Sequence, residues 1–130
     1  MARSVLSALE RRWLADPPKA LARIATVDAD GMPHVVPGGW SFDSATEEII
    51  LGGRDVPRTQ RAVHVRATGR AAVVVDGLAP GPGWSPWAFA IRGRARVDED
   101  LGVIRVALDQ VTSWGLEAVT TEPQEEAISS

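Results

Sequence analysis

Residues 89–97 alternate between two faces, which is the pattern of a β-strand with one side against a core. Residues 103–111 alternate in the same way after an acidic turn, so another strand is predicted there. Residues 70–76 contain an apolar run on both faces, which predicts a strand at the centre of a sheet or at an interface. The apolar face of the first segment is Phe89, Ile91, Gly93, Ala95 and Val97, and its opposite face is Ala90, Arg92, Arg94 and Arg96.

Three more strands are predicted at Leu21–Asp28, His34–Phe42 and Glu47–Leu51, and the glycines inside the second are expected to bend or bulge it. Two short amphipathic helices are predicted, one over residues 4–15 and one over about residues 56–67. Hairpin turns join most of the neighbouring strands. The sequence therefore predicts a mainly β fold, a six-stranded antiparallel barrel with two short helices.

At 130 residues the chain is long enough for one domain with its own core, predicted to span residues 1–116. Residues 117–130 contain four glutamates and are predicted to form a loosely ordered acidic tail. No apolar run is long enough to span a membrane, and the first residues do not resemble a signal peptide, so a cytoplasmic protein is expected. The absence of cysteine excludes disulfides, thiolate nucleophiles and cysteine-ligated metals.

The side chains that carry chemistry indicate no metal site and no particular catalytic residue. His34 and His64 are too few for a histidine-based metal site, and both are expected at the surface. Acidic metal ligands remain open, although no known ligand spacing is present. Arg92, Arg94 and Arg96 would suit a nucleic acid, but the net charge of −3 argues against that partner. If the protein performs chemistry, we expect a cofactor to supply it.

The segment of residues 49–61 is the strongest candidate for a binding site. An apolar run ends there at Gly52 and Gly53, and Asp55 is predicted to cap a helix that has a proline in its first turn. Residues 54–70 include five arginines and one aspartate, in a chain whose net charge is −3. Because a helix N-terminus attracts anions, these cations predict a phosphate-type site. The alternative is a solvated arginine face.

Four of the five tryptophans, Trp40, Trp84, Trp87 and Trp114, lie at predicted strand ends or loop edges. Aromatic planes in such places suit packing against a flat heterocycle. The alternative is that the tryptophans fill the core and an interface between two copies, which is expected for at least Trp13.

Five short motifs follow one another at residues 25–37, 50–53, 73–76, 91–95 and 113–115, and they read ATVDADGMPHVVP, ILGG, VVVD, IRGRA and SWG. In order and spacing they resemble the pyridoxamine 5'-phosphate oxidase-like family of FMN-binding split β-barrel proteins. The resemblance is greatest to its small actinobacterial branch that depends on a deazaflavin, coenzyme F-420. It covers roughly residues 5–116.

The resemblance implies a flavin or deazaflavin against the second and third strands, with its phosphate beside the following helix. Relatives carry Thr-Arg-Lys at that helix, where this chain has Thr59, Gln60 and Arg61, so one cation is lost and Arg54 or Arg58 is expected to compensate. The implied cofactor-binding residues are Pro37, Gly38, Gly39, Trp40, Gly52, Gly53, Arg54, Arg58, Thr59, Gln60 and Arg61, and the implied substrate pocket is Trp84, Trp87 and Trp114.

The activity that the resemblance implies is that of an oxidoreductase. It would transfer a hydride between coenzyme F-420, or FMN, and a small organic substrate, in a homodimer with two cofactors at its interface. A split barrel that binds a flavin or deazaflavin without catalysis is the alternative. Turnover with reduced cofactor separates the two, since both would hold the chromophore.

Overall fold

A computed structural model of the protein describes Arg3 and residues 5–121. Within that part of the chain, eight strands and two α-helices are formed. None of these helices is long and apolar enough to cross a bilayer. The elements are helix α1 (Ala8–Ala15), strands β1 (Ala22–Val27), β2 (Pro33–Gly38), β3 (Trp40–Asp43) and β4 (Glu48–Leu51), helix α2 (Gln60–Thr68), and strands β5 (Arg70–Leu78), β6 (Pro86–Asp98), β7 (Val103–Ala107) and β8 (Gln110–Trp114).

All strand pairs are antiparallel, in the order β2-β1-β5-β6-β7-β4-β3, and β8 pairs with β6. The long strand β6 is shared by two half-sheets, β2-β1-β5-β6-β8 and β6-β7-β4-β3. Helix α2 packs against β1 and β6. The end strands β2 and β3 do not pair with each other in the described chain, so the structure is barrel-like but the sheet is not closed.

Strand β6 changes partner at Gly93. It pairs with β8 as far as Arg92 and with β7 from Ala95 onwards. A Cβ atom at Gly93 would overlap the backbone carbonyl of Ala107, the last residue of β7. A residue without a side chain is therefore needed where the end of β7 passes close to β6.

The prediction of six strands is wrong, because two predicted strands are each divided. Gly39 separates β2 from β3, which pair with different strands, β1 and β4. Leu108 and Asp109 separate β7 from β8. The Asp109 carboxylate accepts hydrogen bonds from the backbone N–H of Arg94 at 2.9 Å and from its guanidinium at 2.9 and 3.0 Å. Buried Leu108 extends the alternation of β7 into this break, and the phase shifts only after it, where Gln110 is exposed and Val111 is buried.

Both predicted helices exist, but their starts differ from the prediction. Helix α1 begins at Ala8 because Ser7 caps it in a capping box with Glu10. Asp55 does not cap α2: it has a left-handed backbone conformation, with φ of 49°, and its side chain makes no cap hydrogen bond. A short 3-10 turn follows it, and Thr59 caps α2. Gly69 ends α2 in the left-handed conformation.

The predicted acidic tail is described only in part. Residues Leu116–Val119 form a 3-10 turn, in which Leu116 is buried. Residues 122–130 lie outside the described residues, so the prediction of a loosely ordered tail stays a prediction.

The core is organised around Trp13 of α1, which is fully buried as expected. Its ring stacks on Trp40 with centroids 5.6 Å apart and an angle of 12° between the planes. It also contacts Phe89, at a centroid distance of 5.1 Å, and Trp87, at 5.8 Å. Stacked and tilted aromatic pairs of this kind stabilise a core beyond the area that they bury. Helix α1 is thereby joined to β3 and β6.

Glu10 is a charged residue with no exposed surface, and each of its hydrogen bonds favours the carboxylate form. Its oxygens accept hydrogen bonds from the Ser7 N–H at 2.8 Å, the Arg3 guanidinium at 2.5 and 3.0 Å, and the Ser113 hydroxyl at 2.5 Å. Burial raises the pKa of Glu10, but the bonds from Arg3, Ser113 and Ser7 outweigh it and lower that pKa from 4.5 to about 2. This carboxylate connects α1 to β8.

We expect Glu10→Gln to destabilise the protein by about 1.5–3 kcal/mol at neutral pH, because charge-assisted hydrogen bonds are lost. The pKa of this carboxyl group is about 2 in the folded protein, against an ordinary value of 4.5. The group therefore stabilises the fold at pH values above 4.5, and this contribution disappears as the pH falls towards 2. The difference from wild type should therefore shrink on acidification. Urea unfolding at neutral and acid pH measures it, with exposed Glu117→Gln as the control. Equal stability of Glu10→Gln and wild type at neutral pH would contradict this role.

Candidate functional site

The start of helix α2 has the features of an anion site. Thr59 caps the helix: its Oγ1 accepts a hydrogen bond from the Ala62 N–H at 3.3 Å and donates one to the Val56 carbonyl at 2.6 Å. No acidic residue lies in the first turn of α2. The positive end of the helix dipole is therefore not offset by a carboxylate of the helix itself.

Arg61 has an incomplete set of hydrogen bonds. Its Nε atom is buried and has no partner in the described chain. Its guanidinium lies beside the end of β4, since a Cβ atom at Gly53 would be 3.3 Å from Arg61 Nη2. Gly53 has a φ of 143°, a conformation that other residues rarely adopt. A buried N–H without an acceptor is costly, and a phosphate oxygen would supply that acceptor. Arg61 thus fits an anionic ligand.

The other predicted cations divide into two groups. Arg54 and Arg58 are exposed and form no ion pair within the residues that the structure describes. Exposed Gln60 adds no charge beside them. Arg66, further along α2, is held by Glu99 at 3.0 Å. The two free arginines therefore lie on the N-terminal side of α2, next to Arg61.

The three arginines that would suit a nucleic acid are engaged within the chain. Arg92 bonds Gln110 at 2.6 Å, Arg94 bonds Asp109 at 2.9 Å, and Arg96 lies 3.5 Å from Glu48. Together they present less free positive charge than the sequence implies.

The glycines of the site have different surroundings. A Cβ atom at Gly38 would be 2.9 Å from Ile24 Cδ1, so this glycine is needed for packing against the core. A Cβ atom at Gly39 or at Gly52 would meet no other atom within 4 Å, which leaves room for a ligand.

Pro37 is exposed on β2, the end strand of its half-sheet. One backbone edge of β2 is thus unpaired in the described chain.

The tryptophans predicted at the site do not share one environment. Trp40 stacks on Trp13 and donates its indole N–H to the Ala20 carbonyl at 2.9 Å. Trp87 is only 5% exposed and packs under Gly77. Trp84, in the loop before β6, is 81% exposed, and Trp114, at the end of β8, is 52% exposed. In the single chain only Trp84 and Trp114 are open to a ligand.

The expectation that both histidines lie at the surface is wrong. His64 of α2 is 8% exposed, and its Nδ1 atom lies 2.8 Å from the Thr26 hydroxyl. Its ring meets the half-buried ring of His34 edge to face, with centroids 5.1 Å apart. Sequence periodicity contained a signal, because Thr26 falls in phase with the buried residues of β1 and His34 with the half-buried residues of β2. Only the tertiary structure shows that α2 covers these two residues.

Two adjoining cavities open on the outer face of the β1-β5-β6 sheet. They measure about 640 and about 260 Å³ and share Ala25, Ala72, Arg92 and Gln110. Small apolar side chains form most of this face, although β5 already buries its other side in the core. The prediction that residues 70–76 form a central strand is confirmed, since β5 pairs with both β1 and β6.

Fold and site together define a mainly β, barrel-like protein in which a cationic helix start lies next to the end of β4 and one edge of β2 is unpaired in the described chain. A solved structure with this fold is the FAD binding protein from Mycobacterium smegmatis, which has a TM-score of 0.55 and 23% identity over 86% of this chain and 97% of that chain. No family model matches the sequence.

Two curated proteins are similar in sequence. The chain is 30% identical over 105 residues to the 5a,11a-dehydrotetracycline/5a,11a-dehydrooxytetracycline reductase of Streptomyces rimosus, across 73% of this chain and 74% of that protein. It is 35% identical over 91 residues to the F420H(2)-dependent biliverdin reductase of Mycobacterium tuberculosis, across 67% of this chain and 57% of that protein. The chain belongs to the family of reductases that includes the Streptomyces enzyme.

We expect Gly53→Ala to destabilise the protein by about 1–3 kcal/mol, because alanine at a φ of 143° is strained and its methyl group crowds Arg61. Gly52→Ala is the matched control, since its new methyl group meets no atom within 4 Å, and its effect should stay within about 0.5 kcal/mol. Urea unfolding of both variants measures the difference. Equal effects would show that Gly53 does not hold a special conformation.

Proposed function

We propose that the protein is a deazaflavin-dependent oxidoreductase, which transfers a hydride between coenzyme F-420 and a small organic substrate. The observation that carries this proposal is the buried Arg61 Nε without a partner in the described chain, at a helix start that has no acidic residue. Membership of a reductase family supports the redox activity, and one relative is named as F420H(2)-dependent. FMN is the alternative cofactor, because its phosphate would use the same helix start.

In this proposal the chain binds and orients the cofactor, which supplies the hydride chemistry when it is bound. Arg61 and the α2 N-terminus would hold the phosphate, with Arg54 and Arg58 adding attraction from the exposed side. Thr59 keeps the first turn of α2 in place through its two hydrogen bonds. The unpaired edge of β2 near Pro37 offers backbone groups to the ring system.

A binding protein without catalysis is the second candidate function. It is favoured by Trp40 and Trp87, whose rings pack with the core and leave fewer groups for a substrate. Reduced F-420 mixed with biliverdin or a dehydrotetracycline, the substrates named for the relatives, separates the two candidates. Oxidation of the deazaflavin that depends on both protein and substrate supports the enzyme. Tight binding without turnover of either compound supports the second candidate.

We expect Arg61→Ala to weaken F-420 binding by about 1.5–3 kcal/mol, because a charge-assisted contact at the helix start is lost. Arg66→Ala is the matched control and should have a much smaller effect, since Arg66 is paired with Glu99 further along the helix. Wild type should bind F-420 more tightly than FMN, because the longer anionic tail can use Arg54 and Arg58, and salt should reduce this preference. Fluorescence titrations at low and high salt measure both effects. Equal small losses in the two variants would favour a solvated arginine face.

The cofactor site in this proposal belongs to a homodimer. The outer face of β5 presents half-buried Ala72 and Val74 beside the two cavities, while its other face is already in the core. A second copy of the chain would cover this apolar face, and a specific dimer should bury at least about 1,200 Å². Exposed Trp114, on the outer side of β8, lies where the partner could share a substrate pocket.

We expect Val74→Glu to convert a dimer to a monomer at micromolar concentration, because burying a carboxylate at the interface costs more in desolvation than its cross-strand pairing with Arg23 returns. Val63→Glu is the matched control: Val63 is half exposed on α2, away from the outer face, and its replacement should leave the dimer intact. Light scattering reports the mass, and circular dichroism verifies that both variants fold. A monomeric wild type would overturn the dimer.

A further inference from the structure

The larger of the two cavities on the outer face lies where strands β1 and β5 separate. Their pairing ends at Ala25 and Ala72, although both strands continue. In the same register residues 26–27 would face residues 70–71, but these segments do not pair and line the cavity instead. The cavity measures about 640 Å³, and small-molecule sites commonly measure about 300–1,000 Å³. The opening between the two strands is therefore large enough for a small molecule.

This cavity is separate from the anion site at the start of α2. Thr68 and Gly69, at the end of the helix, line the cavity, whereas Arg54, Arg58 and Arg61 do not. Helix α2 has nine residues, so at about 1.5 Å per residue its two ends lie about 12 Å apart. A ligand in the cavity would therefore occupy a second site.

The floor of the cavity is apolar, and its side chains are short. Ala25 and Ala72 are directly opposite each other on the outer face of the sheet. Val27 of β1 and Pro33 of β2 are also opposite each other and extend the apolar surface. Because two neighbouring alanines leave a hollow, an apolar body can replace water there, and the burial of its surface favours binding.

Three arginines line one side of this hollow, on the same face of the sheet. Arg70 of β5 is directly opposite Arg94 of β6 and diagonal to Arg92. Arg94 is paired with Asp109 at 2.9 Å, but the partner of Arg92 is the neutral amide oxygen of Gln110, at 2.6 Å. Neither Arg70 nor Arg92 forms an ion pair in the part of the chain that the structure describes. Two positive charges therefore remain beside an apolar hollow, and an anionic group would complement them.

We propose that this cavity binds a small molecule with an apolar body and one anionic group. The apolar body lies over Ala25 and Ala72, and the anionic group lies between Arg70 and Arg92. A carboxylate or a sulfonate has the oxygens that two guanidinium groups can share. The inference goes beyond the proposed function and does not rest on it, since the site uses the other end of α2 and other arginines.

Two fluorescent dyes that differ by one anionic group test this proposal. Anilinonaphthalene sulfonate carries a sulfonate on an apolar ring system, and phenylnaphthylamine is the same ring system without the sulfonate. Both dyes fluoresce more strongly in apolar surroundings, so titrations of the wild-type protein measure their affinity and stoichiometry. We expect one molecule of either dye to bind per chain.

Replacement of the two arginines shows whether the anionic group is recognised. Arg70→Gln and Arg92→Gln should each weaken binding of the sulfonate dye about threefold, and the double variant about tenfold, because each removes an attraction at an exposed position. Binding of the uncharged dye should change by less than about 1.5-fold in the same variants. Arg96→Gln is the matched control, because Arg96 lies on the same face of β6 outside the cavity, and it should leave the affinity for both dyes unchanged.

Two bulky substitutions show which cavity the dyes occupy. Ala25 lines both cavities, so Ala25→Trp fills the floor of the larger one and should abolish binding of both dyes. Ala90→Trp is the matched control, because Ala90 lines only the smaller cavity, and binding should persist. Arg61→Ala should also leave both dyes bound, since Arg61 lies at the other end of α2. Circular dichroism verifies that each variant folds.

The outcomes separate this site from the proposed cofactor site. Equal losses of both dyes in the arginine variants, or full binding of the sulfonate dye by the double variant, overturn the recognition of an anionic group. Binding that survives Ala25→Trp, or that is lost equally in Ala90→Trp, places the dye outside the larger cavity and overturns the site. Loss of the sulfonate dye in Arg61→Ala overturns the second site and leaves the proposed function standing. Failure of F-420 to bind to protein that binds the sulfonate dye as expected overturns the proposed function and leaves this inference standing.

Discussion

Strand β6 is the element on which the rest of the structure depends, because it belongs to both half-sheets. Its first part pairs with β5 and β8, and its last part pairs with β7. The change of partner occurs at Gly93, where a side chain would overlap the Ala107 carbonyl. Since one strand holds both half-sheets, β2 and β3 become the two ends of the sheet, and the chain passes between these ends at Gly39. The open edge at β2 and the position of α2 both follow from this arrangement.

The candidate site combines backbone conformation with one poorly satisfied arginine. Gly53 allows the guanidinium of Arg61 to lie against the end of β4, and Thr59 closes the first turn of α2. The result is a helix start with positive potential and a buried donor that lacks an acceptor in the described chain. Membership of a reductase family gives this geometry a chemical context, and the anion that would satisfy Arg61 is the phosphate of the proposed cofactor.

Two features depart from the usual arrangement of apolar residues inside and polar residues outside. They are the apolar outer face of the sheet and the buried histidines. The face of β5 that carries Ala72 and Val74 is apolar without being covered by the described chain itself, which is why a second copy is proposed there. His34 and His64, in contrast, are polar groups placed inside. The histidines lie under α2, whereas the apolar face lies on the outer side of the sheet, so the two features occupy different sides of the same half-sheet.

Sequence periodicity determined which segments form strands and which face of each strand is apolar, as residues 89–97 show, because side chains alternate along any extended chain. It also predicted a helix with arginines near its start, because glycines and charges are local signals, but it placed the cap at Asp55, whereas Thr59 caps the helix. Only the tertiary structure decided that Gly39 separates two strands with different partners, because alternation does not specify which strand lies alongside. For the same reason, the sequence did not predict that Trp40 and His64 are covered by other elements. The periodicity of a strand or helix identifies its apolar face, but the element that covers that face comes from elsewhere in the chain.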